Sequence, residues 1–273
     1  MTKTHDLLQQ LRVEPGSSPR LDRREPGIRL GAPSKQEGLT RLQELVERLS
    51  VLHNRLSAEA TRALLLVLQG MDASGKDGTI RHVLTGVNPQ GCRIVSFREP
   101  TTTELAHDYL WRVHGLCPAH GEIVIFNRSH YEDVVAARVR GLVADHVWRR
   151  RYEHIRAFER LLVDEGTTVL KVFLHVSRAE QRKRLQERLD NPEKRWKFRV
   201  GDLDDRRRWD DFATAYEDAI RETSTEWAPW YVVPADHNWV RNLAVGEILV
   251  DALERLDPQL PKPDPGLDRV EVP

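Results

Sequence analysis

The sequence predicts an α/β fold: a doubly wound sheet of five parallel strands, with helices on both faces and a helical lid. Two observations predict it. Apolar runs of strand length alternate with longer stretches in which apolar residues recur at three- and four-residue steps. A glycine-rich loop beginning at Gly70 joins the first of these runs to a helical pattern. Alternating strands and helices favour a parallel sheet because each helix returns the chain to the same end of the sheet.

The strands are predicted from runs rich in Leu, Val, Ile and Phe, since a strand inside a parallel sheet is buried on both faces. Their predicted ranges are 63–68, 92–97, 123–126, 167–176 and 231–233. Helices are predicted from the three- and four-residue periodicity and from cap signals at Thr101 and Ser177. Their predicted ranges are 35–60, 76–86, 101–114, 147–165, a helix after Ser177, 209–223 and 238–256.

The two ends of the chain differ from this pattern. Residues 1–34 are rich in Pro, Gly, Ser, Arg and Asp, and we expect an arm that is either flexible or draped over a partner. Residues 35–257 form the predicted α/β domain, with its lid at about 184–205. The Pro-rich residues 258–273 are predicted to be a tail.

Composition excludes several classes of protein. The 273 residues carry 42 Lys+Arg and 42 Asp+Glu, and this neutral balance disfavours a nucleic-acid-binding protein. The chain has two cysteines, Cys92 and Cys117, which favours a reducing cytoplasm. Its longest apolar runs fall short of the ~18 residues that a membrane helix needs. We therefore expect a cytoplasmic protein that binds neither nucleic acid nor membrane.

The loop at residues 70–76 has the pattern Gly-x4-Gly-Lys. Glycines let the backbone curl without Cβ clashes, so its N–H groups surround phosphate oxygens, and the following helix adds its positive end. Lys76 brings a positive charge to the transferred phosphate. A glycine-rich turn with an incidental lysine is the alternative, which the flanking strand and helix disfavour. The loop therefore predicts a P-loop kinase, with phosphate binding by Gly70, Ala73, Ser74, Gly75 and Gly78.

Two acidic residues distinguish this loop. Position 77 is Asp, where the usual motif has a Ser or Thr whose hydroxyl holds Mg²⁺, and Asp72 lies inside the loop. A carboxylate beside a polyphosphate repels it unless a cation lies between them. We therefore predict bound Mg²⁺, with Mn²⁺ as a substitute, and Asp72 as the stronger metal candidate. Asp77 either contacts metal or caps the following helix.

Polar residues crowd the end of the third predicted strand, beside the phosphate loop. Asn127 stands where a carboxylate is expected in a Walker B segment, and Arg128 follows with a charge that could neutralise phosphate. Glu132 and Asp133, one short turn later, could supply the missing acid. The alternative is that these two acids only lie in the first turn of a helix, where acidic residues are favoured.

A basic segment follows the fourth predicted strand. Arg184 and Arg188 share a helix face, and Lys194 and Lys197 follow Pro192, interleaved with aromatic residues. In a P-loop kinase this is the position of a lid that closes over the reacting phosphates. A solvated charged face is the alternative, but the density of Lys and Arg favours a polyanionic substrate.

These residues resemble the polyphosphate kinase 2 family over about residues 35–255. The similar segments are 70–78, 97–101, 107–112, 126–133, 191–198, 209–212 and 228–236. The resemblance implies Mg²⁺-dependent phosphate transfer between inorganic polyphosphate and nucleotides by a homodimer or homotetramer. The Asn-Arg-Ser-His-Tyr-Glu-Asp form at 127–133 resembles the class III subgroup, which phosphorylates both AMP and ADP.

The resemblance also implies roles for individual residues. Asp72 and Asp133 would hold metal, and Glu132 would influence nucleotide choice. The catalytic set would be Asp72, Lys76, Arg128, Asp133 and Arg184. Further phosphate or nucleotide contacts would come from Asp77, Asn127, Glu132, Arg188, Lys194 and Lys197.

Two other functions compete with this one. An ATP-dependent nucleotide kinase would share the phosphate loop, and only the basic lid argues against it. A non-catalytic phosphate- or nucleotide-binding module would be expected to lack the acids, yet Asp72, Glu132 and Asp133 are all present.

Overall fold

The computed structural model describes residues 2–31, 34–265, 270 and 272. The strands are β1 (Arg12–Val13), β2 (Ala63–Gly70), β3 (Cys92–Ser96), β4 (Ile123–Asn127), β5 (Thr167–His175) and β6 (Trp230–Pro234). The helices are α1 (Thr2–Leu11), α2 (Lys35–Glu59), α3 (Lys76–Val83), α4 (Thr102–Leu105), α5 (Trp111–His114), α6 (Ala136–Val139), α7 (Asp145–Asp164), α8 (Arg178–Asp190), α9 (Gly201–Arg207), α10 (Trp209–Thr223) and α11 (Asn238–Leu256). Short 3-10 turns occupy Leu21–Arg23, His130–Asp133 and Arg195–Lys197.

Five parallel strands form the body of the sheet, which confirms the predicted fold. The order is β1-β6-β5-β2-β4-β3, so β2 lies between β5 and β4. Every residue of β2 is buried, as its unbroken apolar run predicts. Leu64 pairs with Ile123 on one side and Thr168 on the other. The carboxyl ends of β2 and β4 therefore meet at one edge, where open α/β sheets bind ligands.

A sixth strand corrects the predicted five-stranded sheet. β1 pairs antiparallel with β6, with Arg12 opposite Tyr231 and Val13 opposite Trp230. Leu7, Leu8 and Leu11 of α1 are buried in the same hydrophobic core as the sheet. The expectation that residues 1–34 are flexible or lie over a partner is therefore wrong for this part, which packs on the chain's own sheet. The helical spacing of these three leucines was the signal for it.

The predicted helix at 101–114 is two short helices. Its capping box is confirmed: Thr101 accepts a hydrogen bond from the Glu104 N–H, and Glu104 accepts one from the Thr101 N–H. α4 nevertheless ends at Leu105. Asp108 Oδ1 accepts a hydrogen bond from the Leu110 N–H at 3.0 Å, and such local side-chain bonds compete with helix continuation. Within the described part of the chain, none of the helices combines the length and apolarity that a bilayer crossing requires.

Candidate active site

The phosphate loop connects β2 to α3 and has the backbone that its glycines permit. Gly70 has φ 152° and Gly75 has φ 102°, and Ala73 also lies in the left-handed region at 60°. A Cβ on Gly70 would lie 2.8 Å from the Leu174 carbonyl oxygen, so the loop lies directly against β5. Both glycines are therefore required by backbone conformation and by close approach.

Lys76 begins α3, and its side chain folds back over the loop. Its Nζ donates hydrogen bonds to the carbonyl oxygens of Gly70 at 2.7 Å and Met71 at 3.2 Å. Burial, with the neighbouring charge of Arg128, lowers the pKa of Lys76 to about 8. No carboxylate oxygen of the described residues lies within ion-pair distance of Nζ. The charge of Lys76 is therefore held at the loop without a direct counter-ion.

Asp72 and Arg128 face each other across the site. Arg128 Nη2 lies 2.6 Å from Asp72 Oδ1, and Arg128 Nη1 lies 3.9 Å from Glu132 Oε2. Glu132 and Asp72 raise the pKa of Arg128. Arg128 has φ 62°, a conformation that a non-glycine residue keeps only when its surroundings enforce it. The strained residue at the end of β4 thus aims its guanidinium at the acid of the phosphate loop.

Asp77 accepts a hydrogen bond from Asn127 Nδ2 at 2.8 Å. The N-cap of α3 is Gly75, and no side chain caps it, so Asp77 does not cap the helix. The side-chain amide of Asn127 thus donates to the Asp77 carboxylate. An Asp at position 127 would repel that carboxylate. This contact explains how the chain tolerates both departures from the usual motif.

Asp133 lies outside the cleft lining. Its carboxylate lies 3.7 Å from both Arg112 and Arg151, and burial raises its pKa. Its Oδ2 has no hydrogen-bond partner among the described residues. The predicted metal role of Asp133 stays a prediction. The neighbouring Glu132 does line a small pocket behind the loop, together with Asp72, Arg128 and Asp205.

The basic segment and the phosphate loop line one cleft of about 1200 Å³. Arg188 of α8 reaches it, as do Lys194 and Lys197 around the 3-10 turn. The Arg188 guanidinium lies 3.8 Å from Asp202 of α9, which links the two helical parts of the segment. Lysines and arginines outnumber acids in the lining, although the whole chain is neutral. The positive charge is thus concentrated where phosphates would lie.

Arg184 lies in this cleft, but its donors are occupied by the protein. Its Nη1 donates to the carbonyl oxygens of Ala73 at 3.0 Å and Ser74 at 3.1 Å. Its Nη2 donates to those of Ala235 and Asp236, and its Nε to Glu180. In this conformation Arg184 supports the loop through two of its backbone carbonyls. Its predicted contact with phosphate stays a prediction.

Three residues of the site have no counterpart in the predicted set. Arg140 forms an ion pair with Asp205 of α9 at 2.7 Å, beside the small pocket. Arg241 of α11 reaches the phosphate loop. The signal for Arg241 was a cation near the start of an otherwise largely apolar helix. Arg140 and Asp205 carried no signal in the sequence, because only the fold brings them together.

Comparisons with known proteins agree on one family. The family model "Polyphosphate kinase 2 (PPK2)" matches residues 32–261. The chain is 57% identical to the AMP/ADP-polyphosphate phosphotransferase of Meiothermus ruber, over 97% of this chain and 100% of that protein. It is 45% identical to the ADP-polyphosphate phosphotransferase of Rhodopseudomonas palustris, over 85% of each. The crystal structure of polyphosphate kinase 2 from Arthrobacter aurescens TC1 superimposes with a TM-score of 0.92 at 42% identity, covering 96% of this chain and 94% of that one.

Proposed function

The chain belongs to the polyphosphate kinase 2 family, and on that premise we propose that it transfers the terminal phosphoryl group of inorganic polyphosphate to AMP and to ADP. The observation that carries the proposal is the shared cleft, in which Lys76 and Asp72 of the phosphate loop meet the basic residues of the lid segment. The close relative from Meiothermus ruber is named for transfer to both nucleotides. We infer that the reaction is reversible, with ATP as the final product of the forward direction.

The residues support transfer by positioning and charge. Phosphoryl transfer spreads negative charge over the transferred group, and little covalent chemistry is required of the protein. Lys76 and Arg128 present cations at the loop, while Arg188, Lys194 and Lys197 offer charge along the cleft to a phosphate chain. Strong donors held in place before the reaction lower its barrier most. The acceptor nucleotide would place its phosphate beside the small pocket, which Arg128 and Arg140 line together with Asp72 and Glu132.

Mg²⁺ fits the oxygen donors of the site. Mg²⁺ is commonly held by one or two carboxylates, water and substrate phosphates rather than by a complete protein cage. In the part of the chain that the structure describes, no three metal-binding side chains cluster, and Asp72 offers its carboxylate at the cleft. Asp72 would hold the ion, and Asp133 is the second candidate through its Oδ2, which makes no hydrogen bond within the described residues but lies 3.7 Å from Arg112. When bound, Mg²⁺ would offset phosphate charge.

The proposal is tested by supplying AMP with long-chain polyphosphate and Mg²⁺ in the absence of ATP. We expect ADP first and ATP later, detected by chromatography. ADP supplied alone should also give ATP. An ATP-dependent nucleotide kinase would give no product from AMP and polyphosphate, but would give ADP from AMP and ATP. A non-catalytic binding module would give no product with either donor.

Two further properties are proposed, one from the family resemblance and one from the cysteine content. We expect a homodimer or homotetramer, which light scattering of the purified chain would identify. We also expect a reducing cytoplasm, which fits the free thiols of Cys92 and Cys117.

A further inference from the structure

Arg241 contacts the phosphate loop and lines the same cleft. It belongs to α11, far along the chain from the loop, and its side chain is almost completely buried, with 2% of the residue exposed. Its Nη1 donates to the Ser74 carbonyl oxygen at 3.3 Å. A Cβ added to Gly75 would lie 1.9 Å from the same Nη1. Gly75 therefore makes the space that the guanidinium fills.

The charge of Arg241 has no acidic partner in the part of the chain that the structure describes. Its other hydrogen bonds go to the amide oxygens of Asn238 at 2.7 Å and Asn242 at 3.0 Å. Among the described residues, no carboxylate oxygen lies within 4 Å of the guanidinium. Burial, followed by the neighbouring charge of Arg184, lowers the pKa of Arg241 to about 9. A buried charge without a counter-ion is costly, and proteins seldom keep one without a use for it.

Arg184 contacts the same turn of the loop. Its Nη1 donates to the carbonyl oxygens of Ala73 and Ser74, so the Ser74 carbonyl accepts from two guanidiniums. In a trans peptide the C=O and N–H point in opposite directions. Holding the Ser74 carbonyl outward therefore turns the Gly75 N–H away from the arginines. The two arginines orient the Ser74–Gly75 peptide and place two positive charges beside its carbonyl oxygen.

We propose that Arg241 is a positioning residue of the phosphate loop, and that the counter-charge for its buried guanidinium arrives with the phosphate groups of the substrate. The inference rests on the proposed function, since it takes a phosphate chain as the loop's ligand. It assigns to α11 a part in binding that the loop's own sequence motif does not contain. It also gives Gly75 a second role besides its backbone conformation, namely to admit the guanidinium.

The test compares Arg241→Met and Arg241→Lys with wild type. The control is Arg255→Met, which removes an exposed arginine of the same helix that pairs with Asp251 at 2.9 Å. Melting temperature is measured with and without inorganic tripolyphosphate, and kcat and KM for polyphosphate are measured in parallel. Tripolyphosphate should raise the melting temperature of wild type and control alike. We expect Arg241→Met to lose at least half of that rise and to raise KM about tenfold.

Arg241→Lys separates charge from geometry. A lysine keeps the positive charge but lacks the planar fork that reaches several oxygens at once. We expect this variant to keep most of the tripolyphosphate-induced rise and to lower kcat several-fold. A lysine variant that lost the rise as fully as Arg241→Met would contradict the role given to the charge.

A purely structural role would give a different result. Arg241→Met would then melt at a lower temperature, with an unchanged tripolyphosphate-induced rise and unchanged KM, and this result would overturn the inference. If Arg241→Met does not fold, the test is made with Arg241→Lys alone. A lower melting temperature of Arg241→Lys with unchanged kcat and KM would also overturn the inference. A wild type that tripolyphosphate stabilises but that transfers no phosphate would refute the proposed function alone. The lost rise in Arg241→Met would still support the inference.

Discussion

The ammonium group of Lys76 donates hydrogen bonds to the backbone carbonyls of Gly70 and Met71. It has no ion-pair partner among the described residues, so an anion can bind there. Its pKa of about 8 reflects burial first, and the charge of Arg128 next. A phosphate that enters the loop would supply the missing negative charge and favour the protonated form. The residue is thus placed where charge develops during transfer.

Replacing Lys76 by Ala should lower kcat by about 10² to 10³, the usual effect of losing one charge-stabilising donor. The fold should survive, because the lost bonds are two hydrogen bonds to loop carbonyls. Steady-state assays would give kcat, and circular dichroism would report the fold. Lys262→Ala removes an exposed lysine of the C-terminal segment and serves as the control. Near-wild-type turnover in Lys76→Ala would contradict the site assignment.

At the scale of single residues, the sequence predicts which residues lie together in the site. It predicts less well which contacts each of them makes. The order of strands places Asp72, Lys76 and Arg128 at one sheet edge, and they do lie together. The spacing of residues does not reveal that Arg184 binds backbone carbonyls. Nor does it reveal that Arg241 contacts the loop, because that contact depends on how α11 packs against α3.

The ends of α2 and α11 are joined through one carboxylate. Glu59, the last residue of α2, accepts hydrogen bonds from Arg62 Nε at 2.7 Å and from the Gln259 N–H at 2.8 Å. Arg62 in turn donates to the Leu256 carbonyl oxygen at the end of α11. The hydrogen bond from Arg62 is the largest cause that lowers the pKa of Glu59 to about 2. The carboxylate therefore stabilises the fold only while it is charged.

This joint predicts a pH dependence of stability. The pKa of Glu59 is lower in the folded chain than its ordinary 4.5, so its contribution is complete above about pH 4.5. The contribution declines as the pH falls from there towards 2. Glu59→Gln should therefore be less stable than wild type at pH 7, and the difference should shrink below pH 4.5. Urea denaturation at a series of pH values measures it.

The control for this experiment is Glu254→Gln. Glu254 pairs with Arg48 at 2.8 Å, but both side chains are about half exposed, and such pairs contribute little. Its effect on the free energy of unfolding should stay small at every pH. An equal effect of both variants across the pH series would contradict the role assigned to Glu59.

A buried charge network connects α7 with β5 and the 3-10 turn His130–Asp133. Lys171 and Glu159 form an ion pair, and both side chains are fully buried. Tyr131 donates to Glu159 Oε1 at 2.8 Å, and Lys171 donates to the Thr223 carbonyl oxygen at 2.7 Å. The turn that carries Glu132 is thus anchored from inside the core.

Lys171→Met should lower the free energy of unfolding by about 3–5 kcal/mol, because it leaves Glu159 charged and buried without its cation. Glu159→Gln combined with Lys171→Met should recover part of the loss. Chemical denaturation of the single and double variants gives the coupling energy. The matched pair is Arg160 and Asp164 on the exposed face of α7, where the coupling should stay below about 1 kcal/mol. Additive effects at the buried pair would contradict the network.

At the scale of elements, the sequence predicts long, strongly patterned segments well. The five parallel strands and helices such as α10 and α11 lie where apolar periodicity places them. The single helix predicted at 101–114 is wrong because a local hydrogen bond at Asp108 divides it. The arm is missed because its leucines are few and Pro, Gly and charged residues surround them.

For the whole molecule, the N-terminal arm is part of the core. Leu7, Leu8, Leu11 and Val13 are buried, and burying each such side chain contributes about 1.5–3 kcal/mol. Deleting residues 2–13 should therefore lower the melting temperature by at least about 5 °C. Differential scanning calorimetry would measure the change. Deleting residues 262–273 is the control, since the described residues there are exposed, and a similar loss in both truncations would contradict this role.

The pairing of β1 with β6 also has a consequence for how the chain is made. Arg12 and Val13 leave the ribosome long before their partners, Tyr231 and Trp230, are made. Contacts between such distant segments form late, and segments that wait expose apolar surface. The leucine face of α1 therefore remains uncovered while the rest of the domain is translated. The core around α1 therefore cannot be completed until β6 has been synthesised.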